Sequence, residues 1–210
     1  MKKGLISAVI AIILVFPAFA GTLDAANEPS ASTGEAVFNG GYVLFIIPQY
    51  NFADDEYSIP KVIISRAGYT VETASTSTKE LALGSDIIKV RPNLTIEQID
   101  PAKYKGVIFV GGFLSKKFFD NKVLIEKAKE FSSRGTLIGA MDNTPYFMAQ
   151  WGLLKDVKVT VTPSLAKAMK TMGINYTDKN IVIDKNFITV DSYRYSDAFA
   201  GEFLTELRKR

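Results

Sequence analysis

Whatever chemistry this chain performs must run on oxygen and nitrogen donors, because its 210 residues include no cysteine and no histidine. Thiol nucleophiles, disulfides, Ser-His-Asp triads and His- or Cys-based metal sites are therefore excluded by counting. The acidic residue best placed to act is Asp142, in the stretch 135–151, GTLIGAMDNTPYFMAQW. That stretch reads as a short apolar strand, a tight corner at Met141-Asp142-Asn143, and a helix opened by Thr144-Pro145. Thr144 suits an N-cap, and Pro145 fits where the first helical N–H has no partner. A strand, sharp turn and helix in succession lift one side chain out of the top of a sheet, here Asp142.

The elements that must position Asp142 follow from the apolar pattern. Residues 42–47, YVLFII, form a continuous apolar run bounded by Gly and Pro, as in a strand buried on both faces. After a loop at 48–55, Ile59, Val62, Ile63 and Ala67 recur at helical spacing and Gly68 ends the helix. A strand at 69–75 completes a parallel crossover unit. An extended pair at 83–90 comes next, then a strand at 105–110 that runs into Gly111-Gly112. A helix is expected at 120–133, with Val123, Leu124, Ala128 and Phe131 on one face. Beyond the Asp142 corner lie a strand at 158–161, a helix at 164–172, two strands at 181–184 and 187–190, and a last helix at 196–208. The alternation predicts an α/β fold: a flavodoxin-like three-layer sandwich with a mostly parallel sheet and helices on both faces.

Ligands in such sheets collect at the carboxyl ends of the strands. Three segments are expected to meet there: Asp54-Asp55-Glu56, Gly111-Gly112 and the Asp142 corner with its neighbour Asn143. Tyr146, Phe147 and Trp151 read as core packing, with an aromatic ligand wall as the alternative.

Residues 1–20, MKKGLISAVIAIILVFPAFA, have a basic start, an apolar run and an Ala-x-Ala site, the pattern of a cleaved secretory signal, with an uncleaved anchor as the alternative. Residues 21–41 are small, polar and aperiodic, as in a flexible linker, which leaves 42–210 as one domain. The expected address is exported, periplasmic or extracellular, with no stable membrane insertion after cleavage. Removing Lys2 and Lys3 from the net charge of +3 leaves +1, too little to argue for nucleic acid.

The segments VLFIIPQYNFADDEYSIPKVIISRAGYTVETAS, YKGVIFVGG, GTLIGAMDNTPYFMAQWGLL and VKVTVTPSLAKAMKTMGINYTDKNIVIDKNFITV resemble, in order, the ThiJ/PfpI family of the DJ-one superfamily, whose fold is similar to class I glutamine amidotransferases. The resemblance implies that Glu56, before Ile59-Pro60, is the carboxyl that hydrogen-bonds the family's nucleophile, and that Gly111-Gly112 lie by the oxyanion site. It places the nucleophilic cysteine of Ala-Ile-Cys-x-Gly-Pro on Asp142, and the histidine that precedes a proline on Thr162. Both reactive residues are replaced. The family's peptidase, glyoxalase and deglycase activities need a thiolate and are not expected. Arg194, ahead of the last helix, matches a region with pocket-facing residues and is a candidate partner for a ligand carboxylate, against the plainer reading of a solvated loop charge. The resemblance also implies a homodimer.

It further implies that Glu56 and Asp142 lie within hydrogen-bond reach and share one proton. The expected function is then a non-catalytic pseudoenzyme, structural or binding a small molecule, without a cofactor. In that reading Asp142 presents oxygens as an oxidised cysteine would. The alternatives are a carboxylate-based hydrolase using Glu56 and Asp142, and a hard-cation site built from Asp54, Asp55, Glu56 and Asp142.

Overall fold

The computed structural model describes residues 40–112 and 116–210. The expected leader and most of the expected linker lie outside the described residues. At the edge of that linker, Gly40 is already tied to the domain, its N–H donated to Gly68 O at 3.1 Å.

Strand β1 (Tyr42–Ile46) passes through the short β2 (Tyr50–Phe52) into helix α1 (Asp54–Arg66) and β3 (Thr70–Ser75). A flap follows, formed by β4 (Ala82–Gly84) and β5 (Lys89–Val90), before β6 (Leu94–Thr95) rejoins the main sheet. Next come β7 (Tyr104–Phe109), α2 (Lys116–Phe119), α3 (Lys122–Ser133), β8 (Leu137–Met141) and α4 (Thr144–Gln150). The chain ends with β9 (Lys158–Val159), α5 (Ala166–Thr171), β10 (Asn175–Tyr176), β11 (Ile181–Asp184), β12 (Phe187–Val190) and α6 (Ser196–Leu207). The seven-stranded sheet has the order β11-β12-β8-β7-β1-β3-β6. Every neighbouring pair is parallel except β11 and β12, which are antiparallel across the Lys185-Asn186 turn.

Period-two alternation divides the central strands between two cores. Val43, Phe45, Ile108, Leu137 and Met141 face Tyr57 and Ile64 of α1 and Phe199, Phe203 and Leu207 of α6. Leu44, Ile46, Val107, Phe109, Ile138 and Ala140 face Leu124, Ala128 and Phe131 of α3 and Met148 of α4. Both faces are apolar because both are covered, which is why these strands read as continuous apolar runs. The aromatic trio of the corner helix belongs to the second core: Phe147 stacks on Phe119 at 4.5 Å, and Trp151 donates its indole N–H to Phe119 O at 3.1 Å.

Two helices differ from the sequence expectation. The inward face of α1 carries Glu56, Tyr57, Pro60 and Ile64, while Val62 is 46% exposed. A pattern built on aliphatic residues discounts a buried glutamate and an internal proline, so it picks a face turned too far. The expected helix at 120–133 is two helices, α2 and α3, parted at Asn121, whose side chain accepts the Leu124 N–H at 3.2 Å as an N-cap.

Helix α6 lies close on the sheet because the central strands carry glycine beneath it. A Cβ at Gly139 would fall 2.4 Å from the Phe199 ring, and one at Gly106 would fall 2.8 Å from Phe203. Gly139→Ala is therefore expected to destabilise the fold by about 1–3 kcal/mol through overpacking. Gly201→Ala on α6, where a Cβ meets nothing within 4 Å, is expected to stabilise it by roughly 0.5–1 kcal/mol. Urea unfolding of the two variants should shift in opposite directions.

Candidate functional site

The site is assembled at the carboxyl edge of the sheet, where β7 and β8 leave it. At the end of β8, Asp142 adopts φ +51°, a left-handed conformation that aspartate tolerates better than most side chains. The corner is held on both sides. The Asp142 N–H donates to Val190 O at 2.9 Å, and its carbonyl accepts the Thr162 N–H at 3.0 Å. The expected elbow is thus present, but its cap is not the expected one. Asn143 occupies the N-cap position without a side-chain cap bond, and Thr144 and Pro145 are the first two helical residues. With Thr144 inside the helix, its hydroxyl oxygen is buried without a hydrogen-bond partner, as is Asn143 Oδ1.

The exit of β7 meets the start of α1 by a reciprocal pair of bonds. Ala53 donates its N–H to Gly111 O at 3.0 Å, and Gly111 donates its N–H to Glu56 Oε2 at 2.8 Å. Glycine is required here by close approach. A Cβ on Gly111 would lie 2.8 Å from Asn143 Oδ1 and 2.9 Å from Thr144 Oγ1, and one on Gly112 would lie 2.1 Å from Asn51 O. Gly112 O also accepts from Asn143 Nδ2 at a long 3.4 Å.

Glu56 is 1% exposed. Burial pushes its carboxyl up to about pKa 8; the Gly111 N–H works against the rise, and the charge of Asp142 adds to it. Asp142 is also raised, again by burial, with Thr162 working the other way. The two carboxyls are thus close enough to feel each other's charge, and Glu56 holds its proton at neutral pH. Glu56 Oε2 accepts the Gly111 N–H, and Asp142 acts on Glu56 through its charge.

Glu56, Gly111, Gly112, Asp142, Asn143 and Thr162 are brought together as expected, and Arg194 has the exposure of a solvated loop charge. It is exposed on the turn at Tyr193–Tyr195, with its N–H on Ser192 Oγ at 3.3 Å, and it makes no ion pair among the described residues. The acidic run at the start of α1 also separates. Asp54 turns to the flap and accepts from Ser85 Oγ (3.2 Å) and the N–H groups of Asp86 (3.1 Å), Ile87 (3.1 Å) and Ile88 (2.7 Å). Burial raises its pKa, but the donors from Ile88, Asp86, Ile87 and Ser85 outweigh that, and the net shift is downward. Asp55 is exposed. A cation could not engage these three acids together, and among the described residues no group of three or more such side chains is disposed to hold a metal ion.

One acid escaped the sequence reading. Asp191 follows β12, next to the Asp142 corner, and its Oδ1 is buried without a partner. Burial raises its pKa, its own backbone N–H works against the rise, and the charges of Asp178 and Asp142 add to it. The signal was available, since Asp191 also stands at the carboxyl end of a strand, next to one already singled out.

Comparison with known proteins agrees with this geometry. The model of the DJ-1/PfpI family matches residues 42–206. An uncharacterized protein of Methanocaldococcus jannaschii is 31% identical over 203 residues, covering 95% of this chain and 97% of the relative. A deglycase of Pyrococcus abyssi is 23% identical, covering 70% of this chain and 87% of its own. Among solved structures, a ThiJ/PfpI domain protein from Brachyspira murdochii superposes with a TM-score of 0.76 at 24% identity, covering 80% of this chain and 97% of its own. Oxidized DJ-1 of Toxoplasma gondii superposes with a TM-score of 0.72 at 20% identity, covering 80% and 90%. By its sheet order, its elbow and the extent of the family match, this chain belongs to the DJ-1/PfpI family.

Proposed function

We propose that this is an exported, non-catalytic member of the family, a pseudoenzyme that is structural or binds a small ligand at the Glu56–Asp142 crevice, and that works as a homodimer. The observation that carries the reading is the aspartate at the elbow of a chain without cysteine or histidine. A carboxylate is a weak nucleophile, and no imidazole stands by to activate water for release of an ester intermediate. Glu56 supports the reading too. Its proton is held by burial, and one of its oxygens is occupied by a backbone donor, which suits a fixed structural contact better than a shuttling acid. Export rests on residues 1–20.

The purified protein is expected to turn over neither methylglyoxal nor glycated or peptide substrates. Asp142→Cys alone is expected to restore little, because Thr162 supplies no base. Clear turnover by the unmutated protein on such a panel would overturn the proposal.

A second expectation concerns pH. Glu56 has an ordinary pKa of 4.5, raised to about 8 in the fold, so the folded state binds a proton more tightly than the unfolded state. The stability this gives is fully present below the ordinary value and is lost as pH rises through the folded one. Thermal melts of the unmutated protein should therefore fall, relative to those of Glu56→Gln, between about pH 5 and pH 8.5, the range set by the two pKa values. Parallel pH profiles for the two proteins would show that Glu56 does not carry the proton.

A further inference from the structure

Four buried side-chain oxygens among the described residues have no hydrogen-bond partner: Asn143 Oδ1, Thr144 Oγ1, Thr160 Oγ1 and Asp191 Oδ1. All four belong to the segments that hold the Asp142 corner. Asn143 and Thr144 follow it directly. Asp191 follows Val190, whose carbonyl takes the Asp142 N–H, and Thr160 lies two residues before Thr162, whose N–H goes to the Asp142 carbonyl. Buried polar groups are ordinarily paired, so orphans gathered at one place point to a further partner there. Thr144 is fully buried, and its hydroxyl is aimed into the crevice. The point where a Cβ on Gly111 would stand is 2.9 Å from Thr144 Oγ1, 2.8 Å from Asn143 Oδ1 and 3.2 Å from Glu56 Oε2. Oxygens from the starts of α1 and α4 thus converge on the Gly111 side.

Donors and positive charge are scarce around these oxygens. The Gly111 N–H is taken by Glu56, and the Thr162 hydroxyl acts on Asp142. No ion pair among the described residues reaches Asp142 or Asp191, although the charge of Asp142 acts on Asp191. We propose that the small ligand of this crevice carries a primary ammonium group, held by the Asp142 and Asp191 carboxylates with the Asn143 and Thr144 oxygens as further acceptors. An ammonium brings three N–H donors together with the charge that offsets the two acids, and hydrogen bonds between ionised partners are the strong ones. A bare divalent cation is bound by many oxygens, several of them from acids, and among the described residues no group of three or more acid side chains is disposed to hold one. A carboxylate or phosphate ligand would meet acceptors and like charge.

This assignment rests on the reading of the crevice as a small-ligand site. The probe is n-butylammonium chloride, titrated into the full chain at neutral pH and constant ionic strength, with the melting temperature and the amide NMR shifts as readouts. Saturable binding and stabilisation are expected. Neither tetramethylammonium, which has the charge without N–H groups, nor butyrate should reproduce them. Asp142→Asn and Asp191→Asn each keep the shape of the side chain and remove its charge, and each should weaken butylammonium binding by about tenfold or more. Asparagine tolerates the left-handed corner at 142, and Asp191→Asn carries the test by itself if circular dichroism shows Asp142→Asn unfolded. Asp55→Asn, exposed outside the crevice, should bind as the unmutated protein does. No saturable response to butylammonium would overturn the ammonium assignment while leaving a structural role for the crevice standing. Equal responses to tetramethylammonium or butyrate, or binding that survives both asparagine variants, would overturn it as well. Turnover of the methylglyoxal or peptide panel would instead overturn the pseudoenzyme reading.

Discussion

The structure depends on the exchange of backbone and side-chain bonds at Gly111. The two bonds there, from Ala53 N–H to the Gly111 carbonyl and from Gly111 N–H to Glu56, tie the entry of α1 to the exit of β7. Neither bond could form with a side chain at 111, because Asn143 and Thr144 press against the same carbon from the α4 side. Three segments thus meet at one residue that has no side chain. The cost is a glutamate taken out of water, which the fold meets by leaving the proton on it.

From this contact the other features follow. With the start of α1 fixed, Asp54 faces away from the crevice and into the flap, where four donors hold it ionised. Two carboxyls two residues apart on one helical turn therefore have opposite fates. Glu56 finds one backbone donor and a neighbouring acid, and stays neutral. Asp54 finds three N–H groups and a hydroxyl, and stays charged. What separates them is the number of donors each meets when buried.

The crevice itself is acidic and poor in donors. Asp142, Glu56 and Asp191 all have raised pKa values, with burial the largest cause in each. The charge of Asp142 acts on Glu56 and Asp191, and Thr162 is its own polar neighbour. The backbone turn at Asp142 is left-handed, with φ +51°.

Much of the architecture was legible in the sequence. The continuous runs of β1, β7 and β8 announced strands buried on both faces, and the corner at Asp142 was marked by the apolar strand before it and Thr144-Pro145 after it. The want of thiol and imidazole was a matter of counting. These are statements about neighbours along the chain, which a periodic pattern records directly. The tertiary structure alone decided which member of Asp54-Asp55-Glu56 enters the crevice, that Asn143 and not Thr144 stands at the cap, and that Asp191 joins the acids. It also decided where the protons rest. Each of those outcomes turns on burial and on partners from other segments, such as the contact between Glu56 and Gly111 across 55 positions. No local spacing carries that information, because the free energy of a buried polar group is set by the groups the fold brings to it.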